Sequence, residues 1–444
     1  MNSTLSKRLV ISGALAVILG TWSLALLYLS VPNSTSPFFG VARRVVEIAV
    51  QTLPYPTLRL EPHEFTAAAS AALGLMWTGY LVVLVAVGRG DAPDSRFLVR
   101  ALALAAVLRL GLLVLPSGLS KDALLYAGYG RMIVVHHANP YTVQPGQFGD
   151  DPIIALGGWL ELTSHYGPVF LWLSALLAWL GQGHVLLTSL IFRAAATACD
   201  GAICLLIYRL AKDRGEDGSR GLLLYALNPL IALEIAGSGH NEPFMMLSCL
   251  LGLFLLRRGH PLSGHFAIMG SIAVKYITAS VAVLALVRHL ADLKTGGARA
   301  KLLIQLALFA TAAAAVLFAG LWGGTDTFSG VTSAVVDGQL IQSSGARAGA
   351  RPFALIGFAV AVVAATLAMV KLDWSWIYTL SAGLCLSFVV FVFHWKFPWY
   401  FIPAMTLALA GPPTRPNRVI FLTALSLGAL SSFFYALLIP INRG

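Results

Sequence analysis

The stretch from Ser120 to Pro168 holds three aspartates, one glutamate, three histidines, four tyrosines, an arginine and a lysine, in a chain that is otherwise largely apolar. Lipid solvates neither charged side chains nor loop backbone, so such a segment must face water or a substrate. Within it Asp122, Tyr126, Tyr129 and Arg131 recur at spacings near one helical turn. On a helix Asp122 and Tyr126 share a face, with Tyr129 close by. Asp122 would open that helix, where the dipole favours an ionised carboxylate. An ionised carboxylate at a membrane surface suits deprotonation of an alcohol, which makes Asp122 the leading catalytic candidate. The same position equally suits a plain helix cap built by Ser120 or Asp122.

The rest of the stretch is rich in turn signals. HANPY at 137–141, Pro145 and GDDP at 149–152 mark rigid corners. His136, His137, Asp150, Asp151 and His165 have the chemistry of metal ligands, but none of their spacings is diagnostic, and turn residues with solvated side chains are the simpler reading. A second polar turn, GSGHNEP at 237–243, presents His240, Asn241 and Glu242 from a glycine-bent backbone. Planar amides and carboxylates of this kind bridge neighbouring sugar hydroxyls. Near the end of the chain, Lys396 and the arginines Arg347 and Arg351 are placed to hold an anionic phosphate, or lipid headgroups without specificity. Arg193, Asp200, Glu234 and Lys275 lie within apolar runs, where ionisable groups are a functional hint in enzymes and transporters alike. Arg193 and Asp200 are spaced to share a helix face and neutralise each other or neighbours; Glu234 and Lys275 fall near the outer ends of their spans.

The elements that must position these residues are membrane helices. The 444 residues are 58% hydrophobic and only 11% charged, against about 25% charged in soluble domains, and the mean hydropathy is +0.79. The expectation is an all-α, polytopic integral membrane protein of about thirteen spans, or eleven to thirteen, forming a single membrane domain over residues 1–444. The first run, Leu9 to Val31, is too long for a signal-peptide core and reads as a retained span. Residues 32–65 read as an outer loop with an amphipathic helix near 41–53. Residues 118–184 form an outer catalytic loop in which Pro168–Leu180 is a short surface helix, and residues 323–352 form a second outer loop. The net charge of +11 does not indicate nucleic acid: Lys and Arg gather in connectors assigned to the cytoplasm, as the positive-inside rule requires. The four cysteines sit in apolar runs without CxxC spacing, so they carry no zinc or redox signal. This topology puts the polar segments 118–167, 237–243, 323–352 and 393–400 on one outer face.

In order along the chain, D-x-x-x-Y-x-x-x-G-R at 122–131, NPY at 139–141, DP at 151–152, SHYGP at 164–168, NP at 228–229, GHNE at 239–242 and PWY at 398–400 resemble the GT-C class of membrane glycosyltransferases. The closer likeness is to the polyprenyl-phosphate-mannose-dependent enzymes, including the α-1,6-mannosyltransferases of actinobacterial lipoglycan assembly. The resemblance implies a GT-C fold in the bacterial cytoplasmic membrane, a lipid-linked sugar donor, a glycan or glycolipid acceptor, transfer on the outer face, and an aspartate base that maps onto Asp122. Two departures stand out. The GT-C aspartate often follows the first span, whereas Asp122 follows the third, and the familiar turn often carries Asp where this chain has Glu242.

The mechanism expected on that basis is inverting transfer of a hexose, mannose above others. Asp122 takes the acceptor hydroxyl proton, and the departing phosphate needs no second carboxylic acid. Lys396, Arg347, Arg351 or Arg131 would offset its charge. Tyr126, Arg131, Asn139, Tyr141, Asp151, His165, Tyr166, His240, Asn241, Glu242 and Lys275 are the candidate substrate-binding residues. The sequence requires no cofactor, though a divalent metal is one way to assist the phosphate. The rival readings are a secondary transporter, whose binding groups would lie near the midplane on broken helices, and a lipid-linked-sugar flippase.

Overall fold

The computed structural model describes residues 3–28, 60–90, 93–115, 120–332, 351–393 and 396–438. The expected helix at 41–53, most of the 323–352 loop with Arg347, the side chain of Arg351, and His394 lie outside the described residues.

Among the described residues the regular elements are all helical. The first group comprises α1 (Ser3–Tyr28), α2 (Pro62–Arg89), α3 (Ser95–Val114) and α4 (Asp122–Val134). Next come α5 (Pro168–Gly181), α6 (Val185–Asp213), α7 (Ser219–Ala226) and α8 (Pro229–Ala232), the last running into a π-helical turn at Leu233–Gly237. They are followed by α9 (Glu242–Arg257), α10 (Pro261–Ile272), α11 (Ala279–Asp292) and α12 (Gly296–Leu317). The last group is α13 (Arg351–Met369), α14 (Trp376–Ser387), α15 (Ile402–Ala410) and α16 (Arg415–Phe433). Starts fall where capping residues stand: Asp94 accepts from Phe97 N at 2.8 Å, and Thr295 from Ala298 N at 3.2 Å.

Six of these helices are long and apolar enough to cross a membrane, seven if the bent pair Ser219–Ala226 and Pro229–Gly237 counts as one span. The protein is therefore multipass. These spans are counted among the described residues, which hold several further apolar helices shorter than that test requires. α9, α10 and α11 have 16, 12 and 14 residues, under the roughly 17-residue minimum for a span. The surface helix expected at Pro168–Leu180 is present as α5.

Close helix packing relies on small residues, as in membrane bundles generally. A Cβ on Gly13 of α1 would stand 2.6 Å from the carbonyl oxygen of Gly79 on α2, so the two backbones touch there.

The element that shapes the rest is the broken helix α7–α8, bent by 54°. A break inside an apolar bundle frees backbone groups that lipid cannot satisfy. Each end is met by a side chain. Asn228 accepts from Leu230 N and Ile231 N at 3.0 and 3.4 Å, Tyr80 donates to Leu224 O at 2.7 Å, and Arg109 donates to Ala226 O at 2.5 Å. Arg193 donates to Ala236 O at 2.9 Å and also to Leu112 O. Of the two expectations for Arg193 and Asp200, mutual neutralisation or pairing with neighbours, the second holds. Arg193 serves two carbonyls, and Asp200 pairs instead with Arg109, Nε to Oδ2 at 2.5 Å, with both side chains under a tenth exposed.

Arg109→Met would strand the Asp200 carboxylate and the Ala226 carbonyl together. Loss of one partner of such a pair costs about 3–5 kcal/mol, so unfolding of purified protein in detergent should show a large fall in stability. Arg109→Met combined with Asp200→Leu should recover much of it.

Candidate active site

Asp122, the turn at 239–242, Lys275 and Trp399 all stand at helix boundaries, and the fold brings them together. Asp122 is the first residue of α4. Its own amide donates to Ser120 Oγ at 3.2 Å, and the N-cap position is Lys121, with no side-chain cap, so the Asp122 carboxylate is left for other partners. The Tyr126 hydroxyl, one turn on, donates to Asp122 Oδ2 at 3.2 Å. The Tyr126 ring packs edge-on against Tyr166 and Phe170, at 5.2 and 4.9 Å between centroids.

His240 lies behind Asp122. Its Nδ1 is 3.2 Å from Asp122 Oδ2 and its Nε2 is 3.1 Å from Glu234 Oε2. Neither contact is aligned as a linear hydrogen bond, so the ring is best described as a cation site between two carboxylates. The imidazole has no solvent exposure and is stacked on Trp399 at 3.8 Å with 21° between planes. Gly239 makes the approach possible. Its φ is +77°, and a Cβ there would come within 2.9 Å of Arg193 Cγ and 3.2 Å of Ala123 Cβ.

These contacts set the charges. Burial works to neutralise Asp122, but His240, the Lys275 charge and the Tyr126 hydroxyl outweigh it and hold the carboxyl below its usual range. Burial likewise disfavours the His240 cation, yet Asp122 and Glu234 raise it to about 9. His165, whose ring lies against Tyr166 at 4.2 Å, is driven down to about 4 by burial and by Lys275, so it is neutral at physiological pH.

A second polar group adjoins the first. Lys275 Nζ is 2.5 Å from Glu242 Oε1, 3.3 Å from Asn241 Oδ1 and 5.0 Å from the centre of the Tyr400 ring. Asn241 Nδ2 and Glu242 Oε2 are buried without a hydrogen-bond partner among the described residues. Such atoms in a native interior call for an explanation, and a polar ligand is one.

The cavity in front of Asp122 holds about 60 Å³ and is walled by Lys121, Tyr129, Trp159, His165, Tyr166, Phe397, Trp399, Tyr400 and Tyr435 among others. Binding sites for drug-sized ligands run to roughly 300–1,000 Å³, so a hexose must displace some of this aromatic wall. Lys121 is the cation among the residues lining it. Burial lowers its ammonium to about 8.

Other predicted residues are placed in the frame of the loop. Arg131 Nε contacts both carboxylate oxygens of Asp151, at 2.8 and 2.7 Å, and His136 Nε2 is 2.9 Å from Oδ2. Asp151 also accepts from Ile153 N and Ile154 N, which commits it to the turn. Asn139 donates to Leu321 O at 2.9 Å, and the Tyr141 hydroxyl to Tyr166 O at 2.9 Å. The alternative metal site is not assembled. Among the described residues no three His, Cys, Asp or Glu side chains converge to hold an ion; Asp150 and His137 are exposed, and His165 stacks on Tyr166. Lys396 is turned back on its own chain, with Nζ donating to Val389 O at 2.5 Å and to Phe393 O, because the end of the π-helical turn at Phe388–Val392 leaves those carbonyls open.

Sequence reasoning put Glu234 at a span end but gave it no role in the site. Lys121, Trp159 and Tyr435 were left out of the site altogether. Glu234 carried a usable signal, a carboxylate six residues before a histidine across a glycine turn. Tyr435 carried none.

Fold and site together define a multipass membrane protein with a buried acid–base cluster opening on an aromatic cavity. The family described as Alpha-(1->6)-mannopyranosyltransferase, N-terminal domain, matches residues 11–292, and the chain belongs to that family. It is 30% identical over 269 residues to Alpha-(1->6)-mannopyranosyltransferase A of Mycobacterium tuberculosis, covering 54% of this chain and 49% of the relative. It is 24% identical over 229 residues to the protein of the same name in Corynebacterium glutamicum, covering 47% and 45%. The chain spans about half the length of the curated relatives it matches.

Arg131→Met should leave Asp151 buried with an uncompensated charge, at a cost of about 3–5 kcal/mol. Limited proteolysis should then cut within 135–165 well before the wild type is cut there, while α1 and α2 stay protected.

Proposed function

We propose that this chain is a membrane mannosyltransferase that takes its sugar from a polyprenyl-phosphate donor on the outer face of the cytoplasmic membrane. The sugar passes with inversion to a hydroxyl of a glycan or glycolipid, and Asp122 is the general base. The observation that carries the reading is a carboxylate at the cavity wall of a family member, with the Tyr126 hydroxyl and the His240 ring each 3.2 Å from its Oδ2.

The chemistry follows from that placement. The acceptor oxygen attacks the anomeric carbon, its proton goes to Asp122, and the bond to the donor phosphate breaks with the electron pair leaving on phosphate oxygen. A carboxylate held below its usual range is a weak base. It suffices here, because the phosphate leaves without protonation and the hydroxyl becomes acidic only as the new bond forms. Lys121 at the cavity meets the phosphate charge. Tyr166, His165 and the edge of Trp399 line the space for a pyranose ring, and Asn241 and Glu242, outside that wall, carry polar atoms for its hydroxyls once the wall is displaced.

The buried charges favour this over a transporter. Arg109, Asp200 and Arg193 are spent on one another and on backbone carbonyls of the helix break, rather than on lining a path through the midplane.

Asp122→Asn should lower transfer from a polyprenyl-phosphate mannose by about 10²–10⁴-fold while donor binding persists. Purified protein with radiolabelled donor measures both. Wild-type turnover in a folded Asp122→Asn protein would remove the base assignment, and uptake of free sugar into proteoliposomes without transfer would favour the transporter.

A further inference from the structure

We propose that His240 and Glu234 are positioning residues for Asp122, forming a buried carboxylate–imidazolium–carboxylate chain that fixes which oxygen of Asp122 faces the cavity and keeps it ionised. The inference rests on Asp122 being the general base.

The geometry is the reason. Asp122 is on the cavity wall, whereas His240 and Glu234 are not; the histidine lies one layer behind and the glutamate one layer further. The 3.2 and 3.1 Å contacts set a carboxylate oxygen beside each ring nitrogen, and only the protonated ring has a positive charge to attract both. Oδ2 of Asp122 takes both the imidazole contact and the Tyr126 hydroxyl, which leaves Oδ1 for the acceptor proton. Trp399 stacks on the ring and closes it from the cavity. His240 is held in its cationic form at neutral pH, as its value of about 9 indicates.

The groups around the chain are consistent with this. Asp122 and Tyr126 face it from α4, and Glu234 from the π-helical turn. Glu242 and Lys275 add opposite charges from the side, Glu242 acting on Glu234 and Lys275 on Asp122. Tyr28 and Tyr435 approach from α1 and the carboxyl-terminal helix, Tyr28 buried and Tyr435 half-buried.

A neutral His240 has no charge with which to offset the two carboxylates. Transfer should therefore follow a bell, rising as Asp122 ionises and falling as His240 loses its proton near pH 9. In His240→Gln the cation is gone, so the acid limb of kcat/KM should move up by about one pH unit or more, each unit being a tenfold loss on the acid side. KM for the donor should change little. In Glu234→Gln the histidine keeps only Asp122, so the acid limb should stay while the basic limb moves down by about a unit. The experiment is the pH profile of mannosyl transfer by wild type, His240→Gln, Glu234→Gln and Asp122→Asn, with melting temperatures as the check on folding. Folded His240→Gln with an unmoved acid limb, or folded Glu234→Gln with an unmoved basic limb, overturns the chain while leaving Asp122 as base. Should His240→Gln not fold, Glu234→Gln decides alone. Wild-type activity in Asp122→Asn overturns the base reading itself.

Discussion

A helix that breaks within an apolar bundle must bring its own partners for the backbone groups it frees. The rest of this structure follows from that requirement at α7–α8. The break turns the chain by 54° and sends the π-helical turn with Glu234, then Gly239 and His240, toward the first turn of α4. Holding it there takes two buried arginines, an asparagine and a tyrosine from four different places in the sequence. Arg109 and Arg193 bind α3 and α6 to the two halves of the break. The site is therefore as rigid as the membrane core beneath it, although its residues lie on turns.

The second constraint is charge. Five ionisable side chains, Asp122, Glu234, His240, Glu242 and Lys275, are crowded into a region of little solvent, and each isolated charge would cost several kcal/mol. They are arranged so that signs alternate: carboxylate, imidazolium, carboxylate in one line, and ammonium against carboxylate beside it. Alternation lets Asp122 stay ionised next to Tyr166, Trp399 and Tyr400, a wall that would otherwise favour its neutral acid.

Much of this was legible in the sequence. Hydropathy disclosed a multispan helical protein, and the polar segments at 120–168 and 237–243 marked themselves by contrast with their surroundings. The spacing from Asp122 to Tyr126 predicted a contact that is present at 3.2 Å. Helix number was less legible, because an apolar run of a given length reads alike whether it spans or stops halfway, and α9 to α11 stop short. The pairing of charges was least legible. Arg193 and Asp200 share a helix face, yet each found a partner on another helix, since Arg109 stands across from Asp200, and the break after α8 and α3 each supply a carbonyl for Arg193. Arg131 and Asp151 carry charges suited to substrate, yet the turn at 151–154 absorbs them, because an aspartate that caps two amides and faces an arginine is already satisfied.

The cavity also joins parts of the chain that sequence similarity treats differently. The family match ends at residue 292, and within it lie Asp122, Glu234, His240, Asn241, Glu242 and Lys275, the polar half of the site. Trp399, Tyr400 and Tyr435 come from beyond it and make much of the aromatic half. Trp399 stacks on His240 and on Phe397, and Tyr435 meets both Trp399 and Phe397 edge-on. The carboxyl-terminal helices thus act on the polar half directly, covering the imidazolium and excluding water from it. A charged cluster left open to water would be screened and its hold on Asp122 weakened. The chemistry carried by the matched region therefore depends on a lid of rings that the rest of the chain provides.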